Sequence, residues 1–376
     1  MAAKKKEDVN QDVSVVNANS VLNSFLKQNK ADHYNFEVDH NYKVKCSSLL
    51  LTSALGGGLG PGVHRFIGLA SGGKTSCSLD FMYHFLNTPS PNGCARRGVY
   101  IKSEGRLSEN VRNRSGITFV NNTDEWVDGT CFVFESNIYE AVFDLKRQLI
   151  QIPNLEIFFI TDSTDSLIKR DDAQKPDDQA ITVCGGSLAF SVFLKKVGLA
   201  MSKRGMVDLY ISQIRDVIKI DKYEVVVPKQ GKASGPRALE HQGDTVLEFL
   251  PRYSGELILE GEKKSKPIGH FCKCRILKTD NEKYEEVRYP IRYGQVGANS
   301  VWTSFEIVDM MIMWELVTKK GAWFPFSEGQ RAELIAKFPD IEIPEQFHGS
   351  ENIRLFLEKN EEIQKFLFDK FTSVVT

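Results

Sequence analysis

Arg65-Phe66-Ile67-Gly68-Leu69-Ala70-Ser71-Gly72-Gly73-Lys74-Thr75-Ser76 is the stretch on which the fold of this chain turns. Three residues of strand character run into a glycine-rich loop, and residues 75–85 continue in a helical pattern. Gly68 to Thr75 matches G-x-x-x-x-G-K-[ST] in the required context, after a strand and opening a helix. Glycines let successive backbone N–H groups turn toward an anion with no Cβ in the way, and the helix N-terminus adds its positive end. Lys74 is then placed to reach the β and γ phosphates of a nucleotide, and the Thr75 hydroxyl to ligate magnesium. Residues 68–76, namely Gly68, Leu69, Ala70, Ser71, Gly72, Gly73, Lys74, Thr75 and Ser76, form the candidate phosphate site.

Outward from this loop the chain alternates strands with helices. Val99-Tyr100-Ile101, Cys131-Phe132-Val133-Phe134, Ile157-Phe158-Phe159-Ile160 and residues 207–214 read as strands, with helices over 139–150 and 188–201. Apolar strands interleaved with helices imply a mostly parallel sheet covered on both faces. From residue 245 the rhythm changes: 245–250, 256–259, 271–277 and 287–293 are strands with no helix between them, which predicts antiparallel hairpins. The fold class expected is α/β, a P-loop core with an antiparallel extension, an N-terminal helix and a small α/β C-terminal domain. Residues 1–45 are expected to hold a polar tail and a helix over 20–29, residues 46–296 the core, and residues 297–376 the small domain.

Two acids complete the expected site. Asp162 ends the apolar strand Ile157-Phe158-Phe159-Ile160-Thr161, at the sheet edge where ligands of open α/β sheets bind, and is expected to hold magnesium. Glu104 closely follows the strand 99–101, which is expected beside both the 65–67 and the 157–160 strands. From there it could orient or deprotonate an attacking water.

Composition sets bounds. The 376 residues are 41% apolar and 26% charged, ordinary for a globular protein with a sizeable core. A net charge of −1 argues against general electrostatic coating of nucleic acid, so any such contact must come from particular loops. The cysteines Cys46, Cys77, Cys94, Cys131, Cys184, Cys272 and Cys274 form no Cys-x-x-Cys pair, so buried thiols in a reducing compartment are expected. No signal peptide is read, and no run approaches ~18 apolar residues; a soluble, cytoplasmic protein without membrane contact is expected. Trp314, Trp323 and Phe356 are expected in the core of the C-terminal module.

In this order the segments resemble bacterial RecA and the RecA-like recombinases of phages. Tyr100-Ile101-Lys102-Ser103-Glu104 is similar to the family strand ending in its catalytic glutamate, and Thr161-Asp162-Ser163 to its Asp-Ser. Ile211-Ser212-Gln213-Ile214-Arg215 resembles the Asn-Gln-Ile-Arg segment, whose glutamine senses the γ-phosphate and leads into the second DNA loop. Ser234-Gly235-Pro236-Arg237-Ala238-Leu239 resembles the return from that loop. Lys320-Gly321-Ala322-Trp323-Phe324 and residues 349–357 look like the signatures of the family's C-terminal module, absent from other P-loop families. The resemblance spans about residues 45–376, and the 20–29 helix stands where the family has its polymerisation helix.

The resemblance implies a DNA-dependent ATPase with ATP and Mg2+ as cofactors. It implies a helical filament of identical subunits on single-stranded DNA, with ATP at the subunit interface and duplex DNA as second partner. It also implies γ-phosphate sensing by Gln213 and a cation, Lys278, acting across the interface. Between residues 215 and 237, Arg215, Lys219, Lys222, Lys229, Lys232 and Arg237 stand against Asp216, Asp221 and Glu224, a net +3. Lysine and backbone contacts to phosphate there would give affinity without sequence preference.

The chain also departs from the pattern. The aromatic over adenine is replaced by Asn110 and Val111. The first DNA loop, about 169–186, carries Asp171, Asp172, Asp177 and Asp178 against Lys169, Arg170 and Lys175, where cations would be expected. A ring-forming P-loop motor and a catalytically weak DNA-binding accessory protein are the competing readings; the first lacks the C-terminal signatures, and intact Lys74, Thr75, Glu104 and Asp162 oppose the second.

Overall fold

The computed structural model describes residues 18–35, 37, 39–105, 107–176, 185–215, 232–233, 238–259, 266–280 and 286–375. Residues 1–39 and 40–376 form two units. In the first, helix α1 (Ala18–Gln28) carries Val21, Leu22 and Phe25 on an exposed apolar face. That is the amphipathic helix expected from the spacing of those residues.

The second unit is built on one large sheet. Its first half comprises α2 (Leu49–Ala54), β1 (Gly62–Gly68), α3 (Lys74–Leu86), β2 (Ala95–Lys102), α4 (Glu109–Ser115), β3 (Thr118–Val120), β4 (Thr130–Glu135), α5 (Tyr139–Leu149) and β5 (Leu155–Asp162). There follow α6 (Arg170–Ala173), α7 (Gly185–Lys203), β6 (Val207–Arg215), β7 (Lys232–Ala233), α8 (Ala238–Gln242), β8 (Thr245–Phe249), β9 (Leu257–Leu259), β10 (Pro267–Lys278) and β11 (Glu286–Arg292). The strand order is β11-β10-β8-β1-β6-β5-β2-β4-β3. One face is covered by α3, through Phe81, Met82 and Phe85 against Phe66, Phe158 and Ile160. On the other, Phe143 of α5 stacks on Phe193 of α7 at 4.2 Å, and Phe190 meets the Tyr210 ring edge-on at 4.9 Å. The α/β class with a mostly parallel sheet and an antiparallel extension is therefore observed.

One detail of the sheet differs from the sequence expectation. The 99–101 strand, β2, lies between β5 and β4 and not beside β1; β6 separates β1 from β5. Val207 to Ser212 are all buried, so β6 needs a partner on both edges and takes the centre. Residues 245–249 join the two parts of the sheet: β8 runs parallel to β1 on one edge and antiparallel to β10 on the other, and β9 and β11 are antiparallel to β10 in turn. Helix α8 packs on β1, and the Asp244 N–H bonds the Val63 carbonyl, so the chain rejoins the sheet at the end where β1 begins. Cys272 and Cys274 are buried on one face of β10 as free thiols, as their alternation implied; Cys184 lies outside the described residues.

The remaining elements are α9 (Thr303–Met313), β12 (Trp323–Pro325), α10 (Glu328–Lys337), β13 (Gln346–His348), α11 (Ser350–Lys359) and α12 (Glu361–Val375). They enclose a second core of Ile307, Met311, Phe347, Ile353, Leu367 and Phe371, with Trp314 and Phe356 packed at its edge. Trp323 departs from expectation. It is 46% exposed, because alternation along the short β12–β13 pair sends its neighbour Phe324 inward instead.

Glu306 joins α9 to α2: its carboxyl accepts from Ser48 Oγ at 2.5 Å and from Leu49 N–H at 2.9 Å. Burial pushes this carboxyl up to about 8, against the lowering effect of its hydrogen bonds. Between the ordinary carboxyl range and pH 8 the folded chain keeps a proton that the unfolded chain has released. Stability therefore falls as pH rises through that window, by up to ~1.4 kcal/mol per unit. Glu306→Gln, which mimics the protonated acid, should lack this slope. Its melting temperature relative to the parent should rise between pH 5 and 8; a pH-independent difference would contradict the assignment.

Candidate nucleotide site

The loop after β1 is shaped by glycines at two points. Gly68 has φ 149°, and a Cβ there would meet the Phe249 carbonyl oxygen at 2.4 Å. Gly73, at φ 108°, would place a Cβ 3.0 Å from Cys272 Sγ. Lys74 opens α3 and folds back over the loop, donating from Nζ to the carbonyls of Gly68 (2.9 Å) and Leu69 (2.7 Å). Burial depresses its ammonium, while the charges of Asp162, Asp165 and Glu104 hold it up. Ser76 Oγ accepts from Arg114 at 3.1 Å.

Three strand ends meet beside this loop. Asp162, the last residue of β5, accepts at Oδ2 from Thr75 Oγ1 and from the Tyr100 hydroxyl, each at 2.8 Å. Burial pushes the Asp162 carboxyl up, and the bonds from Tyr100 and Thr75 pull it down. The backbone N–H of Glu104 donates to the Asp162 carbonyl at 3.3 Å. Glu104 Oε1 accepts from Gln213 Nε2 at 3.1 Å, and Oε2 accepts from Ser166 Oγ. Gln213, at the end of β6, also donates its backbone N–H to Asp165 Oδ2 at 2.6 Å. Lys74, Thr75, Glu104, Asp162 and Gln213 thus come together, although their numbers span 140 positions of the chain.

Several members of this cluster were not singled out by sequence. Tyr100 carries only a strand signal in the sequence, yet its hydroxyl donates to Asp162; the two are diagonal neighbours across β2 and β5, where Tyr100 pairs with Ile160. Asp165 and Ser166 lie three and four residues past the strand end, in a turn whose direction no periodicity reveals. The Thr75 hydroxyl and an Asp162 oxygen are hard donors 2.8 Å apart, a set that fits Mg2+ in type.

Lys278 stands elsewhere. It lies opposite Val246 toward the amino end of β8, and its Nζ donates to the His241 carbonyl at 2.9 Å. Lys273 pairs with Glu256 at 2.8 Å. Lys219, Lys222, Lys229 and Arg237 lie outside the described residues, as do Asp177 and Asp178. Arg215 and Lys232 face one another as backbone partners of β6 and β7.

On the other flank of the loop a cavity of about 440 Å³ runs from Ser71–Cys77 toward α4, β10 and β11. Val111 lines it, together with Arg114, His270 and Tyr293.

No family model matches the chain. It is 24% identical over 344 residues to Protein RecA of Malacoplasma penetrans, covering 88% of each chain. It is 22% identical to Protein RecA of Chlorobaculum tepidum, covering 90% of this chain and 85% of that one. With Protein RecA of Oleidesulfovibrio alaskensis the identity is 23% over 372 residues, 97% of this chain and 91% of that one. The likeness runs along nearly the whole length of both partners, and a RecA-like protein is what these comparisons support.

Proposed function

We propose that this chain is an ATP-dependent recombinase that assembles as a helical filament on single-stranded DNA and promotes pairing and strand exchange with a duplex. The observation that carries this is the bond from Gln213 to Glu104, a link between the acid facing the nucleotide and the strand that leads into the basic segment 216–237. Similarity to RecA proteins over both the core and the C-terminal part favours it over a ring-forming motor.

On this reading Lys74 releases the loop carbonyls and takes the β and γ phosphates, and residues 68–76 supply backbone N–H donors. Thr75 and Asp162 would hold Mg2+, which neutralises phosphate charge when bound. Tyr100 keeps the Asp162 oxygen oriented. Glu104 accepts the proton of the attacking water, and Gln213 shifts from Glu104 toward the γ-phosphate. That shift moves the end of β6 and so reaches the segment with Arg215, Lys219, Lys222, Lys229, Lys232 and Arg237, the proposed DNA contact. Lys278, remote from its own loop, acts on a neighbouring subunit's nucleotide, and α1 packs on an adjacent core. The division at about residues 45 and 296 follows these roles. No helix among the described residues is long and apolar enough to cross a membrane, which suits a cytoplasmic role.

Negative-stain microscopy with single-stranded DNA and a non-hydrolysable ATP analogue tests the assembly. Helical filaments that require nucleotide are expected; closed rings, or assembly indifferent to nucleotide, would sink the reading. Lys74→Ala should lose at least 10²-fold in turnover, measured as phosphate release with DNA present, in line with loss of one preorganised charge donor.

A further inference from the structure

At the amino ends of β2 and β5, the sheet edge opposite the phosphate loop, three side chains of metal-binding type converge. His40, Cys94 and Glu156 each offer one ligand atom, and the three atoms lie within 4.8 Å of one another. Cys94 directly precedes β2, and Glu156 pairs with Arg96 in the β2–β5 register. Glu156 and Asp162 stand near opposite ends of β5, so about 20 Å of strand separates this cluster from the candidate nucleotide site. Glu156 is fully buried, whereas His40 and Cys94 are partly exposed and give the cluster a path to solvent. His40 and Glu156 are 116 positions apart, so no spacing motif announces the group.

The carboxylate is held from behind. Arg96 Nε donates to Glu156 Oε2 at 2.9 Å, and its guanidinium lies 4.6 Å from the Tyr42 ring and 4.8 Å from that of Phe85. Oε1 is left facing His40 Nδ1 at 3.0 Å, with Ser90 Oγ at 2.9 Å and Asn92 Nδ2 at 3.0 Å. Gly205 keeps space open beside the imidazole, since a Cβ there would meet Nδ1 at 2.7 Å. The contacts at His40 conflict with one another. Asn92 Nδ2 is also 3.2 Å from Nδ1. A protonated Nδ1 that donates to Glu156 cannot accept from Asn92, and one that accepts from Asn92 turns its lone pair on the carboxylate. Turning the Asn92 amide over only sets its oxygen against Oε1. A cation between Nδ1 and Oε1 removes the conflict, because both atoms then direct lone pairs at it.

We propose that His40 Nδ1, Cys94 Sγ and Glu156 Oε1 bind one Zn2+ ion. Imidazole, thiolate and carboxylate are the donor types of zinc, and the soft sulfur sets this group apart from the hard oxygens of Thr75 and Asp162. Cys94 releases its proton to solvent as it binds. Thiolate and carboxylate together cancel the double charge of the ion, so Arg96 meets no net positive charge while it orients Glu156. Water takes the fourth tetrahedral position. The ion ties residue 40, where the second unit begins, to β2 and β5 and so stabilises that unit.

The test uses the full chain, stripped with a chelator and titrated with Zn2+ against a competing indicator. One tight equivalent per chain is expected. With Co2+ as the probe, a thiolate-to-cobalt charge-transfer band should appear in the near ultraviolet. Cys94→Ser should abolish that band and weaken Zn2+ binding by more than the roughly 10–100-fold that loss of an outer hydrogen-bond partner costs. His40→Gln should weaken Zn2+ binding to a similar extent. Both side chains are partly exposed, so both variants should fold. Cys184→Ser, which changes a thiol outside the group, should behave as the parent. Zn2+ at about 100 times its Kd should raise the melting temperature of the parent by about 3 °C and leave that of Cys94→Ser unmoved. Absence of a stoichiometric Zn2+ equivalent would overturn the site, and so would a cobalt band that survives Cys94→Ser or disappears in Cys184→Ser.

Discussion

Glu104→Gln should lower the rate of ATP hydrolysis by roughly 10²–10⁴-fold while leaving the ATP dissociation constant within a few-fold of the parent. The substitution preserves the local structure. A glutamine carbonyl at 104 can still accept from Gln213 Nε2, and its amide can donate to Ser166 Oγ, which then turns from donor to acceptor. What it removes is the capacity to take a proton from water. Single-turnover hydrolysis and fluorescent-nucleotide titration separate the two effects. Unaltered hydrolysis would exclude Glu104 as the base, and lost binding would assign it to nucleotide affinity instead. Because binding survives, filaments of this variant on single-stranded DNA should be longer-lived than those of the parent.

The second large effect is on stability. Lys146 of α5 and Asp208 of β6 form an ion pair at 2.6 Å with both side chains fully inaccessible. Lys146 Nζ also donates to Thr161 Oγ1 at 3.0 Å and lies 4.1 Å from the centre of the Tyr210 ring. The Tyr210 hydroxyl donates to the other Asp208 oxygen at 2.5 Å. Lys146→Met leaves a buried carboxylate with only that partner, and breaking such a pair from one side costs about 3–5 kcal/mol. A fall in melting temperature on the order of 10 °C follows for a chain of this size. Lys146→Met combined with Asp208→Leu removes both charges and should recover most of the loss. A double variant as unstable as the single one would show that the pair contributes through packing and not through charge. Thr161, which adjoins Asp162, loses its Lys146 partner in both variants, so both should weaken Mg2+-dependent ATP binding.

The glycine loop was legible because its chemistry is local. A strand, a run of small residues, a lysine and a hydroxyl must be contiguous for backbone N–H groups to converge on a phosphate. Asp162 was legible for a related reason: the apolar run of residues 157–160 reads as an interior strand, and the acid that soon follows stands at its end. The exposed face of α1 followed from helical spacing alone, and so did the burial of Cys272 and Cys274 from alternation.

Other features depend on which strands become neighbours. Periodicity states that 99–101 and 207–214 are strands, but not that β6 slides between β1 and β5 and pushes β2 outward. That order brings the Gln213 amide to Glu104, 109 positions earlier in the chain. It also carries the Tyr100 hydroxyl to Asp162 and seals Lys146 against Asp208. Trp323 went the other way for a local reason: on a three-residue strand a single alternation decides which aromatic is buried, and Phe324 took the inward place.

The sequence by itself determined the glycine-rich loop between a strand and a helix, the Thr75 hydroxyl and the Asp162 acid beside it, and an α/β sheet to hold them, since each depends on neighbours in the chain. Only the tertiary structure decided how Tyr100, Glu104, Ser166 and Gln213 are wired together. Hydrogen bonds and shared surfaces depend on distance in space, and strand order, which sets that distance, is the outcome of packing the whole sheet at once.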